Sequence, residues 1–275
     1  MELTTSELVS ENCTKQPLPF DSDEVNSYIS SLPIISSPPH LIIGILSYLL
    51  AIKILLPKYM ENKKPYNLGT VTRFYNLFQI IANTTICYLY FFRVKQTAPF
   101  DIWHDVCRHV TGGNNFDATN YKLIVEIQIM YYTLKYIDLV ETAFFIFRKK
   151  FNQVSFLHVY HHVIVIISMW ININYYRVEA SATLLTLNSF VHAIMYIYYF
   201  LSSFGPEIQK YLWWKRYLTV IQIIQFLMGL SILIKMYLDQ CANLSSFYYL
   251  WGFTTTTILC LFIHFYIKTY KKKSE

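Results

Sequence analysis

Residues 156 to 170 read FLHVYHHVIVIISMW, an apolar run with His158, His161 and His162 near its start. Comparable runs recur near 38–57, 72–92, 121–147, 156–174, 179–203, 213–236 and 247–269. About 20 such residues, wound as a helix, cross the hydrocarbon core of a bilayer. Only helices and closed barrels satisfy every backbone group in lipid, and these runs have helix length. The expected fold is therefore all-α and integral to a membrane, with seven transmembrane helices. At 54% hydrophobic and 15% charged residues the chain does not resemble an ordinary soluble domain, where about 25% are charged.

No internal repeat and no Gly/Ser linker divides the sequence, so a single membrane domain is expected over residues 38–269. Residues 1–37 are polar and acidic and read as a tail, as do residues 270–275 with their lysines. The first residues lack a basic stretch followed by an apolar core, so no cleavable signal peptide is expected.

Lys and Arg residues set the orientation. Lys58, Lys63 and Lys64 follow the first run, Arg148, Lys149 and Lys150 the third, Lys210, Lys215 and Arg216 the fifth, and Lys268 and Lys271 the last. Every second boundary is basic, which puts the N-terminus on the lumenal side and the C-terminus in the cytosol. Arg93, Lys95 and Arg108, after the second run, break the contrast. The final KKKSE sets Lys272 and Lys273 where a dilysine retrieval signal of the endoplasmic reticulum would have them; a plain basic membrane flank is the other reading.

On the expected lumenal side lie glycosylation sequons at Asn12 and Asn243. A third, at Asn83, falls inside the second run and should be unreachable. Cys107 and Cys241 also face that oxidising compartment, and a disulfide between them is expected. No cysteine accompanies the histidines.

Ionisable residues inside a span are costly and point to a site. In KYIDLVET, Lys135, Asp138 and Glu141/Thr142 recur at helical spacing; a buried ion pair joining two helices is the simpler alternative. His158, His161 and His162 form another stripe. In NSFVHAIMYIYY, Asn188, His192, Met195, Tyr196 and Tyr199 form a third, and in TVIQIIQ, Thr219, Gln222 and Gln225 form a fourth. Interhelical hydrogen bonding alone would account for either of the last two. Four polar stripes cannot all face lipid, so they should converge on one cavity. Its basic mouth would draw a phosphate-bearing substrate.

These motifs, in this order, make the chain resemble the ELO family of very-long-chain fatty acid elongases, the membrane 3-oxoacyl-CoA synthases, from about residue 38 onwards. The family pattern on the third span is Lys-x-x-Glu-x-x-Asp-Thr, and here the acids are exchanged as Asp138 and Glu141. The resemblance implies condensation of a long-chain acyl-CoA with malonyl-CoA in the endoplasmic reticulum membrane, with an acyl-chain tunnel inside the bundle. No cofactor or metal is implied beyond the two substrates. By the same resemblance His161 takes the acyl group, His192 faces it, and His158 and His162 orient or transfer protons.

Asn188, Gln222 and Gln225 would then offer donors to a developing oxyanion, and Lys135, Asp138, Glu141, Thr142, Tyr196, Arg148 and Lys149 would complete the substrate site. The family also implies homo-oligomers and the company of the 3-oxoacyl-CoA reductase, 3-hydroxyacyl-CoA dehydratase and enoyl-CoA reductase of the elongation cycle, with no nucleic acid. Val159-Tyr160 inside the box, and Gln153 before it, lean in the family towards longer or polyunsaturated acyl chains.

Two other classes fit parts of the pattern. A di-iron desaturase or hydroxylase also carries an HxxHH box, but it needs several, and His40, His104, His109 and His264 are not spaced as further ones. A seven-span lipid receptor or transporter would use the same polar cavity without covalent chemistry.

Overall fold

A computed structural model describes residues 23–94, 118–176, 179–239 and 245–271. Asn12, Cys107, Cys241, Asn243 and the terminal lysines Lys272 and Lys273 lie outside the described residues. So do the expected disulfide and glycans.

The protein is all-α among the described residues. Two short helices, α1 (Asp23–Ser30) and α2 (Pro33–Ser36), precede α3 (Pro38–Leu50). Then follow α4 (Gly69–Tyr88), α5 (Ala118–Phe147), α6 (Phe156–Ile171), α7 (Glu179–Ser202), the short α8 (Pro206–Gln209), α9 (Lys215–Leu238) and α10 (Ser245–Tyr266). Several continue through a wider π-helical turn. The one at Ala51–Leu55 carries α3 into Leu56–Met60. It comes just before Pro57, whose ring has no N–H to return to the helix.

Among the described residues six helices are long and apolar enough to cross a membrane: Pro38–Met60, Gly69–Val94, Phe156–Tyr176, Ala180–Ser202, Lys215–Leu238 and Ser246–Tyr270. The third expected span is α5. Its 30 residues reach about 45 Å at 1.5 Å per residue, ample for a bilayer. Lys122, Glu126, Lys135, Asp138 and Glu141 make it too charged to count by composition. Within it Lys135 and Asp138 are enclosed with Tyr131, Tyr132 and Leu134, which keeps these two charges away from lipid.

Helices α4, α7, α9, α10, α6 and α5 pack in that order, and α5 returns to α4, so the six close a ring. The α3 helix lies outside, against α5 and α6. Gly44 allows close approach there, because a Cβ would stand 3.3 Å from the Tyr136 ring. Residues 23–36 are more than a tail. Val25, Ile29 and Ile35 are buried in the same cluster as Tyr121, Trp170 and Ile173 at the end of the bundle opposite His158.

Candidate active site

The α6 helix starts at Ser155, whose Oγ accepts from the His158 backbone N–H at 3.2 Å. An N-cap of this kind fixes where the helix begins, and so puts His158, His161 and His162 on its first two turns, inside the ring. A cavity of about 250 Å³ opens beside them. Its walls include Glu141 of α5, the three histidines of α6, Asn188, His192, Met195, Tyr196 and Tyr199 of α7, and Thr219, Gln222 and Gln225 of α9, with Phe145, Leu157, Leu218, Phe226, Phe262 and Phe265 between them. The four polar stripes do meet in one place. Lys215 and Tyr270 line the same cavity.

A second, smaller space of about 60 Å³ continues from it. His161, Asn188, Gln225 and Phe226 line both. Beyond them the second space is walled by Val165, Leu184, Leu185, Leu187, Gly229, Trp251 and Ile258, together with the hydroxyl-bearing Tyr131, Ser168, Thr254 and Thr255. Both spaces mix apolar and polar side chains, and the four histidines gather in the first.

The acidic stripe of α5 divides. Glu141 faces the cavity, while Lys135, Asp138 and Thr142 are buried behind it. Lys135 Nζ donates to Asp138 Oδ2 at 3.0 Å and lies 3.5 Å from His192 Nδ1, with the Tyr131 ring 4.7 Å below. Asp138 Oδ1 accepts from Gln79 Nε2 at 2.6 Å and from Tyr196 OH at 3.5 Å. Thr142 Oγ1 bridges His158 Nε2 at 2.8 Å and Tyr48 OH at 2.9 Å.

A second relay has a fixed direction. Tyr131 OH donates to Asn188 Oδ1 at 2.8 Å, and Asn188 Nδ2 donates to Gln225 Oε1 at 3.5 Å. With its oxygen engaged, Gln225 has its amide N–H groups left for the cavity. Gln222 Nε2 contacts Met195 Sδ at 3.7 Å.

The histidines differ in their surroundings. His158 is held by Thr142, and His162 is buried against His158 with ring centroids 4.4 Å apart. The His162 Nδ1 has no hydrogen-bond partner among the described residues. His161 makes no side-chain hydrogen bond among the described residues and stacks across the cavity on His192, centroids 6.3 Å apart. Among the described residues no group of three or more His, Cys, Asp or Glu is arranged to hold a metal.

Arg148 and Lys149 do not line the cavity. Lys149 takes a positive φ of 54° after α5, and its Nζ donates to the Glu61 carbonyl at 3.2 Å. Lys215 is the basic residue in the wall. The sequence reading also passed over α4, where Asn76, Gln79 and Asn83 are buried at i, i+3 and i+7. That spacing was a legible signal. Asn83, the unreachable sequon, spends its amide on Gln79 O and Oε1 at 2.9 and 3.2 Å.

The fold is thus a multi-pass membrane bundle that encloses a chamber lined by imidazole, amide and phenol side chains, with a second, smaller space beside it. The profile of the ELO: GNS1/SUR4 family matches residues 33–275. Very long chain fatty acid elongase 4 of Homo sapiens is 37% identical over 90% of this chain and 76% of its own length. Very long chain fatty acid elongase 7 of Drosophila melanogaster is 35% identical over 88% and 71%. Very long chain fatty acid elongase F of Drosophila simulans is 36% identical over 89% and 92%. The chain belongs to the ELO family and acts in fatty acid elongation, on acyl-CoA substrates in a membrane.

Proposed function

We propose that this elongase is a very-long-chain 3-oxoacyl-CoA synthase, an acyltransferase that works in two half-reactions with His161 as nucleophile. The observation that carries this is the position of His161: it alone of the four site histidines lines both spaces, with its ring free of side-chain hydrogen bonds among the described residues. Imidazole is a competent covalent nucleophile, and neutral imidazole is available near neutral pH.

In the first half-reaction a His161 ring nitrogen attacks the thioester carbonyl. The C–S bond breaks, CoA leaves as the thiol after taking the ring proton, and an acyl-imidazole remains. Malonyl-CoA then loses CO2, and the electron pair of the broken C–C bond becomes an enolate. The enolate carbon attacks the acyl carbon, the bond to His161 breaks, and the imidazolate takes up a proton. The product is a 3-oxoacyl-CoA two carbons longer. Donors from Gln225, Gln222 and Asn188 suit the oxyanion that develops at each carbonyl. Glu141, His158 and His162 are placed for proton handling, and Lys135, Asp138, Thr142 and Tyr196 for support.

The acyl tail extends past His161 into the second space, along Val165, Leu184, Leu185, Leu187 and Ile258, where exclusion of water protects the acyl-imidazole. Lys215, with Arg148 and Lys149 at the same end of the bundle, gives the CoA phosphates a basic approach. No cofactor is needed, because the substrates carry their own activating group. The N-terminus lies in the lumen of the endoplasmic reticulum and the C-terminus in the cytosol, with glycans at Asn12 or Asn243 and a Cys107–Cys241 disulfide on the lumenal face. The protein works as a homo-oligomer with the reductases and dehydratase of the elongation cycle. Incubation of purified protein with labelled acyl-CoA and malonyl-CoA tests the reaction; absence of 3-oxoacyl product from folded protein overturns it.

A further inference from the structure

The acidic and imidazole groups of the cavity are backed by a helix that contributes nothing to its wall. From α4, the Gln79 side chain is fully buried and every polar atom on it is used. Its Nε2 donates to Asp138 Oδ1 at 2.6 Å and to Tyr75 OH at 3.0 Å, and its Oε1 accepts from Asn83 Nδ2 at 3.2 Å. These three bonds fix the orientation of the amide. Turned over, it would set an oxygen against the Asp138 carboxylate.

Asp138 thus has one oxygen held by Gln79 and the other by Lys135. The ammonium of Lys135 has three N–H groups and no acceptor. Asp138 Oδ2, His192 Nδ1 and the face of Tyr131 surround it. A group that can only donate obliges His192 Nδ1 to accept. The neutral ring then carries its proton on Nε2.

We infer that Gln79 is a positioning residue for the elongation reaction: through Asp138 and Lys135 it sets His192 in the tautomer protonated at Nε2, so that His192 meets the substrate as a hydrogen-bond donor and not as a base. The consequence for chemistry is specific. Opposite His161 across the cavity, a fixed N–H donor stabilises negative charge on the acyl carbonyl oxygen in both half-reactions. A base at the same place would compete with His161 for the same proton. Setting one nitrogen of an imidazole through the bond made by the other is a general way to fix its role. Lys135, Asp138 and Gln79 form that fixing chain, on α5 and α4, and His192 on α7 receives it.

The inference rests on the proposed condensation, and two measurements keep the failures of the two apart. Wild-type protein that makes no 3-oxoacyl-CoA defeats the condensation reading. The tautomer is read without turnover, from the side-chain nitrogen resonances of protein labelled with ¹⁵N-histidine, His192 being assigned by its loss in His192→Ala. A wild-type His192 with a protonated Nδ1 overturns the inference; a bare Nδ1 and protonated Nε2 support it.

In kinetics, Gln79→Leu should lower kcat by about tenfold to a hundredfold, the scale on which a misplaced catalytic group is felt, with KM for acyl-CoA unchanged within about twofold. Single-turnover acylation supplies the decisive comparison. In a His192→Ala background Gln79→Leu should slow acylation no further, because residues that act as one unit are not additive. An equal further loss there, or an unchanged kcat in the single variant, overturns the inference. Should Gln79→Leu fail to fold, Gln79→Met removes the same donors from a side chain of similar length and answers the same comparison, and the wild-type spectrum stands on its own.

Discussion

His161 on α6 and His192 on α7 face each other across the cavity with ring planes only 19° apart and centroids 6.3 Å apart. His161 is the member without side-chain hydrogen bonds among the described residues, whereas His192 has Lys135 at its Nδ1. Two histidines in one chamber are therefore chemically unlike. The first prediction follows. Intact-protein mass spectrometry after acyl-CoA is added alone should show one acyl adduct on the wild type and none on His161→Ala. His158→Ala and His162→Ala should retain some. An acylated, elongating His161→Ala protein would show that the nucleophile is another group.

The Asp138 carboxylate is clamped on both oxygens, by Gln79 at 2.6 Å and Lys135 at 3.0 Å. Asp138→Asn removes the one carboxylate bonded, among the described residues, to a lysine that is 2% exposed. Breaking a buried pair from one side costs about 3–5 kcal/mol. The variant should melt well below the wild type in detergent, and Lys135→Met combined with it should recover much of the loss. An unchanged melting temperature in Asp138→Asn would mean that Lys135 has another counter-charge.

Thr142 joins α3 to the histidines through Tyr48 and His158. Thr142→Val deletes both bonds while keeping the shape of the side chain. Each interhelical hydrogen bond in a membrane contributes about 0.6 to 2 kcal/mol, so Thr142→Val should destabilise more than Tyr48→Phe, which loses one. The double variant should be no worse than Thr142→Val alone. Thermal unfolding monitored by exposure of Cys87, which is partly buried, measures all three. Additive losses would show that the bridge is not one unit.

The helices and their inward stripes were legible because lipid imposes a simple rule on sequence: polar side chains within a span must find one another. His158, His161, His162, Asn188, His192, Gln222 and Gln225 obeyed it and meet in one cavity. Two features followed from packing instead. Asp138 and Glu141 lie close in sequence, but only Glu141 reaches the cavity, because Asp138 is held behind it by Gln79 of α4 and by Lys135. Residues 23–36 read as a polar tail, yet Val25, Ile29 and Ile35 cover the end of the bundle. The Asn76, Gln79 and Asn83 stripe was visible and overlooked, since amides without a charge among them look like ordinary helix contacts.

Topology gives a further expectation. Lys149, Lys215 and the capped start of α6 gather at the end of the bundle where the cavity opens, and α2 packs near Asn174 at the other, its Ile35 carbonyl accepting from Asn174 Nδ2 at 3.0 Å. With the basic end in the cytosol, a C-terminal tag should be cleaved by protease added to sealed microsomes, and glycan should appear only at Asn12 or Asn243. A tag protected while a cytosolic control is cut reverses the orientation.

If His161 holds the acyl group as proposed, the second space sets how far the tail can run past it. Gly229 stands in its wall on α9, and a Cβ there would meet Leu184 Cδ2 at 3.4 Å and Thr255 Cγ2 at 3.8 Å, ordinary contact distances. A small side chain is therefore accepted without strain, and a larger one must grow into the space of about 60 Å³. Helix propensity favours the change as well, since leucine is better than glycine inside a helix by about 0.8 kcal/mol. Gly229→Leu should keep the rate with the shortest accepted acyl-CoA and lose it with the longest, so that the longest product falls by two to four carbons. Gly229→Ala should shift the distribution little. Gas chromatography of the products from a mixed acyl-CoA pool reads the result directly. An unchanged distribution in a folded Gly229→Leu protein would mean that the tail leaves His161 in another direction.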